Sequence, residues 1–280
     1  DADIKGFFEN VNHEWMMKFL EHDIEDRNFL RIVARFLKAG ILEEGKHLRT
    51  DAGTPQGGVI SPILANVYLH YVLDLWFEKV VKKQNKGESH IGRYADDFVC
   101  CFQYKEEAEL FYLELIERLG KFGLDIAKNK SKIIEFGRFS DENREERGEG
   151  KSETFDFLGF THYCGKSKQG WFRVKRKTSS KKQRVKITKM KMWLKERMHA
   201  PLKETIAILN RKLIGHYNYY GITDNIKSIQ KFYYAAIVEL FKVLKRRTQK
   251  HNLTWDKYKK ILIYMPIKTP RISVNVYDIT

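Results

Sequence analysis

The stretch Gly92-Arg93-Tyr94-Ala95-Asp96-Asp97-Phe98-Val99-Cys100-Cys101-Phe102 reads as two strands turning at Asp96-Asp97. The apolar run after the acids is what a buried strand requires. Paired aspartates are also ordinary turn chemistry, because their short side chains bond back to the local backbone. Taken alone, that structural reading comes first. Asp3 changes the weight, since it lies on another short strand, in a segment (1–8) broken at Gly6. Carboxylates held on rigid strand ends suit hard divalent cations, which prefer oxygen. Two such ions roughly 3.5–4 Å apart must share ligands, and together they activate an attacking oxygen and neutralise a leaving phosphate.

Outward from this hairpin, strands and helices alternate. Trp15, Phe19, Phe29, Val33 and Phe36 predict helix from His13 to Leu37, interrupted near Asp23. Gly53 to Gly58 reads as a loop, and Ser61-Pro62 as an N-cap followed by proline in the first turn. Leu64, Val67, Tyr68, Tyr71, Val72, Leu75 and Trp76 then form one apolar helical stripe, assigned to the core. A helix over 106–119 presents Phe111, Tyr112, Leu115 and Leu119 on one face. Residues 125–136 read as further strand, the polar 138–153 as a mobile loop, and 155–163 with 171–175 as the arms of a hairpin. From about Ser179 the pattern is helical. Leu209, Leu213 and Tyr217 make one stripe, and Ile229, Phe232, Tyr233, Ala236, Ile237 and Leu240 another. The expected fold class is α+β: an antiparallel sheet packed on helices over 1–175, then an all-α basic domain over 176–280.

A chain of 280 residues with 42% hydrophobic content can bury one large core or two moderate ones. It has no apolar run long enough to span a bilayer and no signal peptide, and Cys100, Cys101 and Cys164 form no C-x-x-C pair. A reducing, cytoplasmic setting without membrane association is expected. The net charge of +16 calls for a polyanionic partner. That excess is concentrated: between Trp171 and Lys212, 15 Lys and Arg face only Glu196 and Glu204, a net +13. The alternative is a solvated lysine-rich helical face.

Four blocks occur in order: Asp3-Ile4-Lys5-Gly6-Phe7-Phe8, Thr54-Pro55-Gln56-Gly57-Gly58, Tyr94-Ala95-Asp96-Asp97 and Phe157-Leu158-Gly159-Phe160. They resemble successive blocks of the reverse transcriptase palm, in the form typical of bacterial group II intron enzymes. Gly123-Leu124 through Asn129-Lys130-Ser131-Lys132 resembles the block between the catalytic hairpin and the primer-contacting turn. Leu209-Asn210-Arg211, Gly215-His216-Tyr217-Asn218-Tyr219-Tyr220, Arg246-Arg247-Thr248-Gln249 and Thr254-Trp255 resemble the thumb, or maturase, region of that family.

The resemblance implies roles residue by residue. Asp3 and Asp96 bind two Mg2+ ions, with Mn2+ as a substitute, assisted by Asp97 and the Ile4 carbonyl. Phe8 is the steric gate that excludes a 2′-hydroxyl, although a phenylalanine there also fits a plain core role. Gln56 and Gly57 contact the incoming nucleotide or template, and Tyr94 and Ala95 line the primer end. Lys130 sits near the leaving pyrophosphate, or is an ordinary surface lysine. Phe157, Leu158, Gly159 and Phe160 grip the primer. Arg173, Lys175, Arg176, Lys177, Lys181, Lys182, Arg184, Lys186, Lys189 and Arg211 bind nucleic acid. Tyr217, Tyr219 and Tyr220 are read as core and shape residues, and the lone His13, His70 and His162 are assigned nothing.

The implied activity is RNA-directed DNA synthesis from deoxynucleoside triphosphates on an RNA template with a DNA primer, together with binding of group II intron RNA. Alternatives are a maturase that binds RNA without polymerising, a retron or diversity-generating reverse transcriptase, and an RNA-templated RNA polymerase, which the bulky Phe8 disfavours. Asp1 stands directly before the first block, so a fragment without the family's fingers is expected, weakly active or inactive by itself.

Overall fold

The computed structural model describes residues 2–38, 53, 60–247 and 252–278, and the backbone alone of 41–43 and 46–48. The chain divides into two compact units, 1–135 and 136–280. The expected boundary at 175/176 thus falls inside the second unit. Its cause is visible in the hydrogen bonds: the Asn225 side chain ties Thr178, at the end of the last strand, to the Tyr220 carbonyl on the helical side.

The first unit opens with β1 (Ala2–Lys5), α1 (Phe7–Asn10), α2 (His13–Asp23) and α3 (Arg27–Lys38). β1 stops at Gly6, which takes φ 54°, a region open to glycine, so Phe7 and Phe8 begin a helix. Asn12 caps α2 through its side chain, and the predicted break after Asp23 separates α2 from α3. A short antiparallel pair, β2 (Ile41–Glu43) with β3 (Lys46–Leu48), follows. α4 (Ser61–Leu69) begins at Ser61 itself, so Ser61 is a buried first-turn residue and not the N-cap. The helix runs on through π turns at His70–Asp74 and Phe77–Val81 into α5 (Lys82–Gln84).

The π turns hold more residues per turn and slow the rotation of the buried face. Leu64, Ala65, Tyr68, Leu69, Val72, Leu73, Phe77 and Val81 are buried, whereas Leu75 and Trp76, assigned to the core by regular helical spacing, are only half-buried. β4 (Ser89–Tyr94) and β5 (Asp97–Phe102) form a hairpin turning at Ala95-Asp96, one residue earlier than expected. α6 (Lys105–Lys121) buries Phe111, Leu115 and Leu119, as its spacing predicts. Of the expected strand over 125–136 only β6 (Asp125–Ile126) forms, because the chain turns at once from Ala127 to Ser131.

The sheet order is β4-β5-β1-β6, all antiparallel. Ile4 and Phe98 are buried in the core with residues of α2, α4 and α6, and Ala2, Cys100 and Phe102 pack against it. Side chains alternate along a strand. Asp3 and Asp97 therefore point to the opposite face, away from the helices.

The second unit begins with α7 (Ser140–Glu146), where a mobile loop was expected. Composition misled here, because the order comes from side-chain bonds across the segment. Asp141 accepts from the Ser152 backbone N–H at 2.9 Å, and Arg144 donates to the Lys151 carbonyl at 3.1 Å. β7 (Phe155–Phe157), β8 (Phe160–Lys166) and β9 (Phe172–Thr178) make a three-stranded antiparallel meander, so the expected first arm of the hairpin is itself two strands. α8 (Ser180–Glu196), α9 (Leu202–Tyr220), α10 (Ile226–Arg247) and α11 (Trp255–Tyr264) complete the unit. Leu209, Leu213 and Tyr217 of α9 meet Ile229, Phe232, Ala236 and Leu240 of α10 in its core. Among the described residues no helix is long and apolar enough to cross a membrane.

Candidate active site

Strand register brings the acids together. Asp3 on β1 is the cross-strand partner of Asp97, the first residue of β5, and Asp97 also faces Tyr94 across the hairpin. Directly opposed residues have Cβ atoms within about 5.5 Å, and like charges so placed destabilise a sheet. A fold selected for stability alone would avoid this pair. Asp96 occupies the turn and lines, with Asp3, an open pocket of about 740 Å³ that also includes Ile4, Phe8 and Lys130. Ala95 holds the turn at φ 54°. For a residue with a Cβ this costs about 1–2 kcal/mol, a strain that persists where surrounding bonds over-determine it.

The segment after β6 wraps around β1. The Ala127 N–H donates to the Asp3 carbonyl at 2.8 Å, and the Asp3 N–H donates to the Ser131 hydroxyl at 3.3 Å. Lys130, carried on this turn, places its ammonium 2.8 Å from Asp3 Oδ2. Its pKa is raised, first by the hydrogen bond and charge of Asp3 and further by the charges of Asp97 and Asp96. All three carboxylates thus act on one cation. Among the described residues, no three His, Cys, Asp or Glu side chains form a ready metal cage. The donor chemistry nonetheless fits hard divalent ions: Asp3 and Asp97 are paired in register, Asp96 stands at the adjoining turn, and a positive charge already rests on Asp3.

The other residues singled out by sequence fall as follows. Ile4 is buried and pairs with Ile126 on β6. Phe8 lies on α1, half-buried, edge-on to Phe7 at 5.3 Å between ring centres. Tyr94 stands out from the hairpin, 67% exposed. Gln56 and Gly57 lie outside the described residues; Gly53, which precedes them, is held in place. The Gly53 N–H donates to the Val11 carbonyl at 2.8 Å, and His13 Nε2 lies 2.6 Å from the Gly53 carbonyl. His13, assigned nothing from sequence, is therefore an anchor for Gly53. A Cβ on Gly53 would stand 2.7 Å from the Glu9 carbonyl oxygen, so only glycine fits there.

Phe157, Leu158, Gly159 and Phe160 belong to the second unit, where Leu158-Gly159 is the tight turn between β7 and β8. Of the basic residues, Arg173, Lys177, Lys181, Lys182, Arg184, Lys189 and Arg211 are exposed, and Lys175, Arg176 and Lys186 are half-buried. Three already lie on aromatic faces: Arg173 is 4.2 Å over Tyr277, Lys177 is 5.2 Å over Tyr163 and Lys186 is 4.5 Å over Tyr220. Burial, then the charge of Lys182, lowers the pKa of Lys186.

The profile of the family described as reverse transcriptase (RNA-dependent DNA polymerase) matches residues 1–162. Group II intron-encoded protein LtrA of Lactococcus lactis subsp. cremoris is 30% identical over 155 residues, 51% of this chain and 25% of that protein. An uncharacterized 91 kDa protein in a cob intron of Schizosaccharomyces pombe is 39% identical over 80 residues, 29% of this chain and 10% of its own. Protein YkfC of Escherichia coli K12 is 36% identical over 124 residues, 35% of this chain and 32% of its own. The match thus spans less than a third of each relative. The matched region contains the whole acidic site from Asp3 to Lys130, and this chain belongs to the reverse transcriptase (RNA-dependent DNA polymerase) family.

Proposed function

We propose that the parent protein is a group II intron-type reverse transcriptase that joins deoxynucleotides to a DNA primer on an RNA template at Asp3, Asp96 and Asp97. The observation that carries this reading is the register of Asp3 against Asp97, a like-charge pair with Asp96 at the adjacent turn and Lys130 on Asp3. Asp3 and Asp96 would hold Mg2+ or Mn2+, with Asp97 assisting. Bound there, such ions would make the primer 3′-oxygen more nucleophilic and neutralise the departing pyrophosphate. Lys130 would contribute positive charge on the leaving-group side, released from Asp3 as cations take its place. Tyr94 and Ala95 would border the primer end, and Phe8 would lie under the sugar.

The polymerase reading implies that Asp96→Ala in the full-length protein abolishes primer extension on an oligonucleotide-primed RNA while RNA affinity stays within about twofold of wild type, since affinity resides chiefly in phosphate contacts. Extension that survives in Asp96→Ala would remove the acidic turn from its role. Phe8→Ala should admit ribonucleotides more readily, and unchanged sugar discrimination would relieve Phe8 of gating.

The exposed basic residues of β9, α8 and α9 favour a second activity beside the first, binding of intron RNA in support of splicing. Contacts of this kind go to phosphate and to duplex shape, so affinity should fall steeply with salt. If RNA binding is the sole role, the wild-type full-length protein will extend no primer at any Mg2+ concentration.

A further inference from the structure

Arg93 precedes the acidic turn on β4 and is only 12% exposed in its side chain. It forms a planar fork onto Asp74, from Nε to Oδ1 at 2.7 Å and from Nη2 to Oδ2 at 2.5 Å. Nη1 carries two more bonds, to the Asn66 side-chain oxygen at 2.9 Å and to the Ala95 carbonyl at 3.0 Å. One guanidinium therefore joins the long helix to the strained residue of the turn. Arginine alone has enough donors in a rigid fork for this; lysine offers a point charge on a flexible stem.

The helix is shaped for the task. On a regular α-helix, Asp74 would lie two turns and about 80° beyond Asn66. The π turn at His70–Asp74 accommodates more residues per turn and reduces that overshoot, so both side chains reach one guanidinium. His70 approaches the same carboxylate only at 3.7 Å, which leaves Arg93 as its close partner.

We infer that Arg93, braced by Asp74 and Asn66 on the π-bulged helix, is a positioning residue that fixes the Ala95 carbonyl and thereby the aim of Asp96 and Asp97. This inference rests on the polymerase reading above. A turn held at φ 54° without such a brace would relax, and the carboxylates would lose their placement relative to Asp3. Misplacement of reacting groups by about 1 Å can cost on the order of a hundredfold in rate.

The test is steady-state primer extension by the full-length protein across a Mg2+ titration, with Asp74→Asn, Arg93→Lys and the double variant beside Asp96→Ala. Each single variant should lower kcat by about 10- to 100-fold. Each should also raise the Mg2+ concentration for half-maximal rate and leave KM for primer–template within about twofold. The double variant should be no worse than the poorer single one, as for residues that act as a unit. Wild-type kcat in both single variants, or losses that multiply in the double, would overturn the inference provided that Asp96→Ala is inactive. An active Asp96→Ala would instead defeat the polymerase reading itself. Should thermal melting show that the Arg93 and Asp74 variants do not fold, Asn66→Ala decides, because it leaves the ion pair intact. It should lower kcat about threefold, the worth of one hydrogen bond, and an unchanged kcat there would also overturn the inference.

Discussion

The two units each present a two-residue turn that enters left-handed backbone, at one residue in the first and at both in the second, and they brace it in opposite ways. In the first unit Ala95 takes φ 54° between β4 and β5; in the second Leu158 takes φ 50° and Gly159 φ 80° between β7 and β8. The acidic turn is held from behind by Arg93, which leaves Asp96 and Asp97 at its tip beside the exposed Tyr94. The second turn is held directly by aromatic side chains. Tyr219 donates its hydroxyl to the Leu158 carbonyl at 2.8 Å, and Phe160 stacks on Tyr219 with ring centres 5.8 Å apart. A Cβ on Gly159 would meet the Tyr220 hydroxyl at 2.9 Å. A turn that carries carboxylates is braced by a polar group it does not expose. A turn that needs only shape can be pressed against a packed wall.

The wall has a weak point that the clamp lacks. His216 is 6% exposed, with its ring 3.9 Å from Phe232 and 4.8 Å from Tyr220 between centres, and among the described residues neither ring nitrogen has a hydrogen-bond partner. Burial, and then the charge of Lys186, pushes its pKa down to about 4. The folded state thus favours the neutral ring, and the unfolded chain takes up a proton first. Its contribution to stability is complete above the ordinary histidine pKa near 6.5 and is lost as pH falls from there toward 4. The loss should reach about 3 kcal/mol, from roughly 1.4 kcal/mol per pKa unit. Protection factors of the α9 amides, which take out the intrinsic slowing of exchange in acid, should fall over that range in wild type and much less in His216→Phe. Equal acid sensitivity in the two proteins would break this part of the comparison.

Next in size is Gly159→Ala. The substitution adds left-handed strain and a clash with a rigid ring, and should cost about 2–3 kcal/mol in urea unfolding. Tyr220→Phe in the same chain should return about 1 kcal/mol by removing the clashing hydroxyl, a coupling that only touching residues produce. Additive effects would place the two apart. Tyr219→Phe, which loses one bond to the Leu158 carbonyl, should cost about 1 kcal/mol.

Sequence reached the parts of this architecture that depend on regular spacing. The β4–β5 hairpin, α6, and the stripes Leu209/Leu213/Tyr217 and Ile229/Phe232/Tyr233/Ala236/Ile237/Leu240 follow from periodicity, with Tyr233 and Ile237 half-buried at the edge of the second stripe. It failed where the backbone departs from a regular period. Leu75 and Trp76 are only half-buried, Trp76 still packing against the core, because regular spacing does not register the π turns on either side of them. α7 was taken for a loop because polar residues stabilise it through bonds among themselves, which no hydrophobic pattern records. At the candidate site, Asp3, Asp96 and Asp97 are legible as carboxylates on strand ends and Lys130 through the resemblance, whereas Arg93, Ser131 and His13 are not. Ser131 and His13 act on backbone groups of distant segments, and Arg93 reaches side chains of the long helix, partners that are invisible until the chain has folded.

The smallest expected effect is also the one that most directly separates the two turns, because a single substitution should have opposite signs in them. Ala95→Gly relieves about 1–2 kcal/mol of left-handed strain and loses about 0.5–1 kcal/mol to the greater freedom of glycine in the unfolded chain. The net should be a stabilisation of about 0.5 kcal/mol, seen as a small rise in Tm. Leu158→Gly relieves the same strain but gives up a half-buried leucine side chain, worth about 1.5 kcal/mol or more. It should therefore be neutral or destabilising. If both substitutions raise Tm alike, the leucine contributes nothing to the wall, and the second turn is held by its backbone bonds alone. If Ala95→Gly lowers Tm, the turn is not strained against its brace, and Arg93 is merely satisfied by the Ala95 carbonyl and does not hold it in place.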